Sequence, residues 1–271
     1  MNQRQWIPVS ESSSDNLNKI RKVNAAIVIA LTFVSLLIGV ATSQVFPVVV
    51  VGLGVSIVFV FAVMRSVETS WLQRIDYQPV DEELHARIVN VVDGLCVVSG
   101  DRRPRLFVFH DEYPVALAIA APGKLGNIVV SDGLLEELDR VEIESVMAHV
   151  LWRLRTENIA LTCYLLTLSA LLGKIGLGKL GSLVTAKMTE QKILLWADIS
   201  ACQATRYPPA LISALHKCDR PHRLSIDSQC GPLLFVDPRT VGDDTTVTSS
   251  FPILGFSAVS LEERIAVLKE M

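Results

Sequence analysis

"VVSDGLLEELDRVEIESVMAHVLWRLRTEN" (129–158) is the stretch on which the reading of this chain turns. It opens inside the apolar run "NIVVS" (127–131), whose length and composition predict a strand. Ser131–Asp132 reads as a helix start rather than a nucleophile, because "SDGLLEELD" follows directly. Asp139 and Glu142 then stand in the D-x-x-E relation of a capping box, which opens a second helix, "VEIESVMAHVLWRLRTEN". On that helix His149 and Arg153 lie one turn apart and share a face.

Upstream, "RLFVFH" (105–110) and "VALAIAA" (115–121) are short apolar runs, with "PG" at 122–123 as punctuation, so three strands joined by turns are predicted. "HDE" at His110, Asp111 and Glu112 reads as a strand-to-turn corner rather than an acid/base pair. Before it, "DEELHARIVNVVDGLCVVSG" (81–100) places Leu84, Ile88, Val91, Val92 and Leu95 at helical spacing and ends near Gly100.

The N-terminal region has a different character. Residues 25–40 and 45–64 carry no charge, and each is near the roughly 20 residues that cross a hydrocarbon core. A signal peptide followed by a buried helix is the alternative, but the first run starts late and lacks a small-residue cleavage site. Only "ATSQ" separates the runs, which makes them a tight hairpin. Arg4, Lys19, Arg21 and Lys22 precede it, Arg65 and Arg74 follow it, and the turn is uncharged, so both ends are expected in the cytoplasm. Trp71 is expected at the headgroup level, and the Ser/Asn/Gln-rich start is expected to be a mobile tail.

Downstream, "IALTCYLLTLSALLG" (159–173) is too short for a full crossing. A segment lying in the interface or dipping into it, with Lys174 and Lys179 at the headgroups, fits better than the alternative, a core helix of the soluble domain. "QKILLWADISACQAT" and "ALISALHKC" read as helices on either side of the "YPP" turn, and "SLEERIAVLKE" as a closing helix. His216, Cys218 and His222 form a loose N/S cluster that reads better as a helix end and loop, since a fourth ligand is not evident. Five cysteines without a C-x-x-C pair predict reduced, structural thiols. Mean hydropathy is +0.41, and the net charge of −3 gives no reason to invoke nucleic acid. No phosphate-binding glycine loop or G-x-S-x-G elbow is present.

This order of elements resembles the HtpX-type and CAAX-prenyl-protease-type membrane zinc metallopeptidases across nearly the whole cytosolic part. "YPVALAIA" is similar to the family's P-N-A-F-A strand through Pro114, Ala116 and Ala118. "VVSDGLLEELDRVEIESVMAH" is similar to the approach to the zinc helix, and "WADISACQAT" to the E-x-x-A-D helix, with Ala197 and Asp198 in register. "PLLFVDP" and "LEERIAVL" are similar to the C-terminal signatures. The resemblance implies an α+β, zincin-like (gluzincin) fold: a mostly helical cytosolic domain with a small β-sheet behind a two-helix transmembrane hairpin. The expected divisions are a flexible tail (1–22), the hairpin (23–64), a linker (65–80) and a metallopeptidase-like domain (81–271), within which 159–180 is the stretch open to membrane association.

The departures fall on the chemistry. The family binds zinc through two histidines one turn apart and a later glutamate, with the glutamate inside H-E-x-x-H as general base. Here His149 keeps the first ligand position, Val150 replaces the base, Arg153 the second ligand and Leu194 the third, while Val115 stands for the strand's Asn. At about 4 Å and an effective dielectric near 20, a unit pair costs roughly 4 kcal/mol, and a dication facing Arg153 about twice that. The expectation is therefore a chain without catalytic residues, metal or other cofactor, in which Arg153 pairs with Asp198 beside His149. It would serve as an accessory, scaffolding or assembly subunit of a larger complex in a bacterial inner membrane. Respiratory-chain assembly and membrane quality control are the candidate hosts. Its partners would be integral membrane proteins and the lipid bilayer, not nucleic acid. The alternatives are a peptide- or lipid-binding module using the family's substrate groove, and a zinc metallopeptidase with atypical ligands or with ligands supplied by a partner.

Overall fold

A computed structural model describes residues 9–189, 192–220, 225–237 and 259–271. The two uncharged runs are the apolar parts of two longer helices, α1 (Val9–Ala41) and α2 (Val45–Leu72), packed as a hairpin. Each is long and apolar enough to cross a membrane. Ile29, Phe33, Leu37, Phe46, Val51 and Val58 are exposed along it, as lipid contact requires. The hairpin closes tightly where Gly52 meets Ser35: a Cβ at Gly52 would come within 1.9 Å of the serine Oγ, so a larger residue would wedge the helices apart.

Both ends of the hairpin are more ordered than their composition suggests. The expected mobile tail (1–22) is helical from Val9, and residues 1–8 lie outside the described residues. The ordering comes from Asn16, whose buried Nδ2 donates to Thr156 O at 2.7 Å, and from Ile20 and Val23, which join the core. The expected linker (65–80) is largely the continuation of α2, with Val67, Glu68, Trp71 and Leu72 buried. Trp71 does not sit at a headgroup. Its indole is 1% exposed, and Nε1 donates to Thr167 Oγ1 (2.9 Å) and Cys163 O (3.2 Å). A buried ring with its only donor satisfied gains more than one left at the interface.

The three predicted strands form as β2 (Arg105–Phe109), β3 (Ala116–Ile119) and β4 (Asn127–Ser131). A short β1 (Tyr77–Pro79), not anticipated, completes a sheet of order β1-β2-β4-β3. β2 and β4 are parallel, with Arg105 opposite Asn127 and Phe109 opposite Ser131. The outer pairs are antiparallel. Glu68 ties the hairpin to this sheet by accepting from Arg105 and from Asn127 Nδ2. The helix expected over 81–100 is α3 (Ala86–Ser99). Asp81 Oδ1 instead takes the N–H groups of Glu83 and Leu84 in a turn, which leaves Leu84 exposed. Gly100 ends α3 in the left-handed region, at φ +72°.

The remaining elements are α4 (Asp132–Glu137), α5 (Arg140–Arg155), α6 (Asn158–Lys174), α7 (Gly178–Met188), α8 (Ile193–Thr205), α9 (Pro208–Cys218), a 3-10 turn (Ser228–Leu233) and α10 (Leu261–Lys269). The capping box opens α5: Glu142 N–H donates to Asp139 Oδ1 and Asp139 N–H to Glu142 Oε2, both at 2.8 Å. α5 is the central helix, packed by α3, α6, α8 and α9. α6 is buried from Asn158 to Ser169 under α1, α2 and α5, so these residues pack against protein as a core helix does, in place of the exposed face expected of an interfacial segment. Beyond them Ile175, Leu177, Leu180 and Leu183 are exposed.

Candidate functional site

α5 and α8 pack side by side and bring His149 and Asp198 together in the core. His149 Nδ1 lies 2.8 Å from Asp198 Oδ1. α10 supplies the third member. Arg264 forks onto the same carboxylate, with Nε donating to Oδ2 at 2.6 Å and Nη2 to Oδ1 at 2.7 Å, while Nη1 donates to Phe235 O at 2.9 Å. All three side chains are buried. Burial alone would raise the Asp198 pKa, but the charge and hydrogen bonds of Arg264, helped by His149, hold it at about 2. Burial lowers His149 to about 4 against the opposing pull of Asp198. An ionised Asp198 accepts only, so the neutral His149 carries its proton on Nδ1. Its Nε2 is then a buried acceptor with no partner, and the ring stands edge-on to Phe235 with centroids 4.9 Å apart.

Arg153, one turn further along α5, is buried but does not reach Asp198. The expected Arg153–Asp198 pair is replaced by another arrangement. Nη1 donates to Leu234 O (3.0 Å), Nη2 to Pro232 O (2.8 Å) and Nε to Asn158 Oδ1 (3.3 Å). Arg264 already fills both oxygens of Asp198, so Arg153 satisfies its fork on backbone carbonyls. Burial, reinforced by the nearby Arg264, lowers its pKa to about 10, and it remains a cation.

This donor set does not fit the zinc ion that the resemblance implies. His149 offers one buried nitrogen without a partner. The position one turn on is a guanidinium, Val150 and Leu194 have no donor, and Asp198 is consumed by Arg264. Among the described residues no three His, Cys, Asp or Glu side chains gather as a metal-holding group.

The other residues singled out from sequence are dispersed. His216 is exposed and Cys218 buried on α9, and His222 lies outside the described residues. The five cysteines are buried. Ser131 Oγ caps α4 by accepting from Leu134 N–H and ties β3 to β4 by accepting from Val115 N–H, so it is held by structure. Asp111 accepts from Tyr113 N–H and Ser225 at the corner, and His110 pairs with Asp132 at 3.0 Å on an exposed face. Sequence reasoning missed Arg264. Its signal was its position on the apolar face of α10, between Leu261, Ile265 and Leu268, where a guanidinium demands a buried acceptor.

No protein-family model matches the chain, and no solved structure matches it. Curated proteins do. A protein named Protease HtpX homolog from Dictyoglomus thermophilum is 27% identical, over 72% of each chain. Another of that name from Ligilactobacillus salivarius is 23% identical over 82% of this chain and 86% of its own. A third, from Streptococcus pneumoniae, is 26% identical over 71% and 76%. The chain is HtpX-like. The same finding corrects one expectation: the chain was read as not being an enzyme, whereas each of these relatives is named a protease. With the two apolar helices, the likeness also makes it a membrane protein in contact with the lipid bilayer.

Proposed function

We propose that this HtpX-like protein is anchored in a bacterial inner membrane by α1 and α2. The remainder lies on the cytoplasmic side and acts as an accessory or assembly subunit that engages integral membrane proteins of a larger complex, in membrane quality control or respiratory-chain assembly. The observation that carries this reading is the hairpin, two helices long and apolar enough to cross a membrane and fixed to the body through Glu68 and Trp71. Charge asymmetry around the hairpin supports the orientation. The exposed leucines beyond Lys174 support membrane contact for the tip of α6 and α7.

Affinity purification of the full chain in mild detergent, after cross-linking in cells, tests the proposal. Stoichiometric co-purification of defined membrane polypeptides is expected, and recovery of the chain alone refutes it. The name of the relatives carries a second reading, that the chain is itself a protease. Zinc chemistry of the family kind would then need donor groups from beyond the described residues or from a partner. Hydrolysis of a membrane-protein substrate by the purified chain decides for that reading.

A further inference from the structure

β3 is the last strand of the sheet, so one of its edges has no strand of the sheet beside it. Such an edge offers unpaired N–H and C=O groups to any extended chain. Here the place is taken. Leu234 pairs antiparallel with Leu117, and Phe235 N–H donates to Ala116 O at 2.8 Å. The pairing joins residues more than a hundred positions apart, and only a single bridge is formed. It therefore needs other contacts to hold it against the entropy of closing so long a loop.

Two guanidiniums supply them. Arg153 holds the carbonyls of Pro232 and Leu234, and Arg264 holds that of Phe235. Leu234 and Phe235 are buried, with the Phe235 ring against both His149 and Arg264. Val115 and all of β3 are buried as well, so the edge is closed to solvent along the strand.

We infer that Leu234 and Phe235, where the chain leaves the 3-10 turn, are a built-in occupant of a polypeptide-binding edge. They stand where two residues of an extended apolar peptide would add to β3, with Arg153 as the positioning residue that keeps them there. Access to the edge requires this segment to leave. The inference rests on the strand geometry and stands apart from the choice of partner proposed above.

The test uses the full chain in lipid nanodiscs and a fluorescein-labelled hexapeptide, Gly-Pro-Leu-Leu-Phe-Val, copied from residues 231–236. In the wild type the Phe235 amide should exchange slowly and the peptide should not bind. Arg153→Gln should speed that exchange about tenfold or more and make peptide binding saturable. Unchanged exchange overturns the inference. So does equal peptide binding by both chains, or faster exchange without peptide binding. Should Arg153→Gln not fold, a Leu117→Cys/Leu234→Cys chain decides. Ready disulfide formation under mild oxidant, as an antiparallel pair allows, supports the built-in strand, and failure to cross-link overturns it.

Discussion

Arg264→Met should destabilise this protein by about 3–5 kcal/mol, the cost of breaking a buried ion pair from one side. The guanidinium makes both short contacts to Asp198 and one to Phe235 O, and all of these are lost together. What stays behind is a carboxylate 1% exposed whose remaining partner is the Nδ1–H of His149. A loss of that size lowers Tm by roughly 6–20 °C for a chain of this length. Arg264→Met with Asp198→Leu removes both charges and should recover much of the loss. Recovery stays incomplete because His149 Nδ1–H then lacks its acceptor, a deficit of about 1–3 kcal/mol. Adding His149→Phe should remove that deficit too. Thermal unfolding in detergent at pH 7.5, followed by tryptophan fluorescence, gives the series. A single variant within about 1 kcal/mol of wild type, as an exposed pair would give, refutes the reasoning. A double variant no better than the single one refutes it equally.

Three other outcomes follow from the same geometry. His149 is held neutral with its pKa lowered to about 4, so below its ordinary value near 6.5 the unfolded chain binds the extra proton. Stability should fall by on the order of 3 kcal/mol as pH drops from about 6.5 to 4, and His149→Phe should flatten that slope in pH-dependent melts. Asp198, held at about 2, adds a second loss only below about pH 4. Because Arg153 binds carbonyls and not Asp198, Asp198→Leu should fail to rescue Arg153→Met; rescue in a double-mutant cycle would restore the pairing expected from sequence. A cysteine at Ser43 should react with an impermeant maleimide from outside spheroplasts while one at Glu262 should not, and the reverse pattern would invert the topology.

The parts of the fold that were legible share one property: their signal is local. The two uncharged runs, the short apolar stretches at 105–109 and 127–131, and the Asp139/Glu142 box each state their structure within a few residues. β1 escaped because three residues ending in a proline carry no period. Asn16 and Trp71 were misread because composition reports what surrounds a residue in sequence, and both are ordered by partners about 90 to 140 residues away. At the candidate site, His149 and Asp198 were named correctly as neighbours, yet the guanidinium assigned to Asp198 was the wrong one. Arg153 was on a recognisable helix and Arg264 was not weighed. Two buried arginines competing for one carboxylate is a question of geometry, and the winner is the one whose helix aims its fork along both oxygens.

The continuity of α2 from bilayer to core has a mechanical meaning. Trp71 and Glu68 are bolted into α6 and the sheet within a few residues of the last apolar turn, so no swivel separates anchor from body. A protein built this way cannot sweep a hemisphere on a tether. It travels as a keel fixed to its hull, searching by lateral diffusion in two dimensions at one height above the lipid. Any molecule that touches the body must reach it at that height.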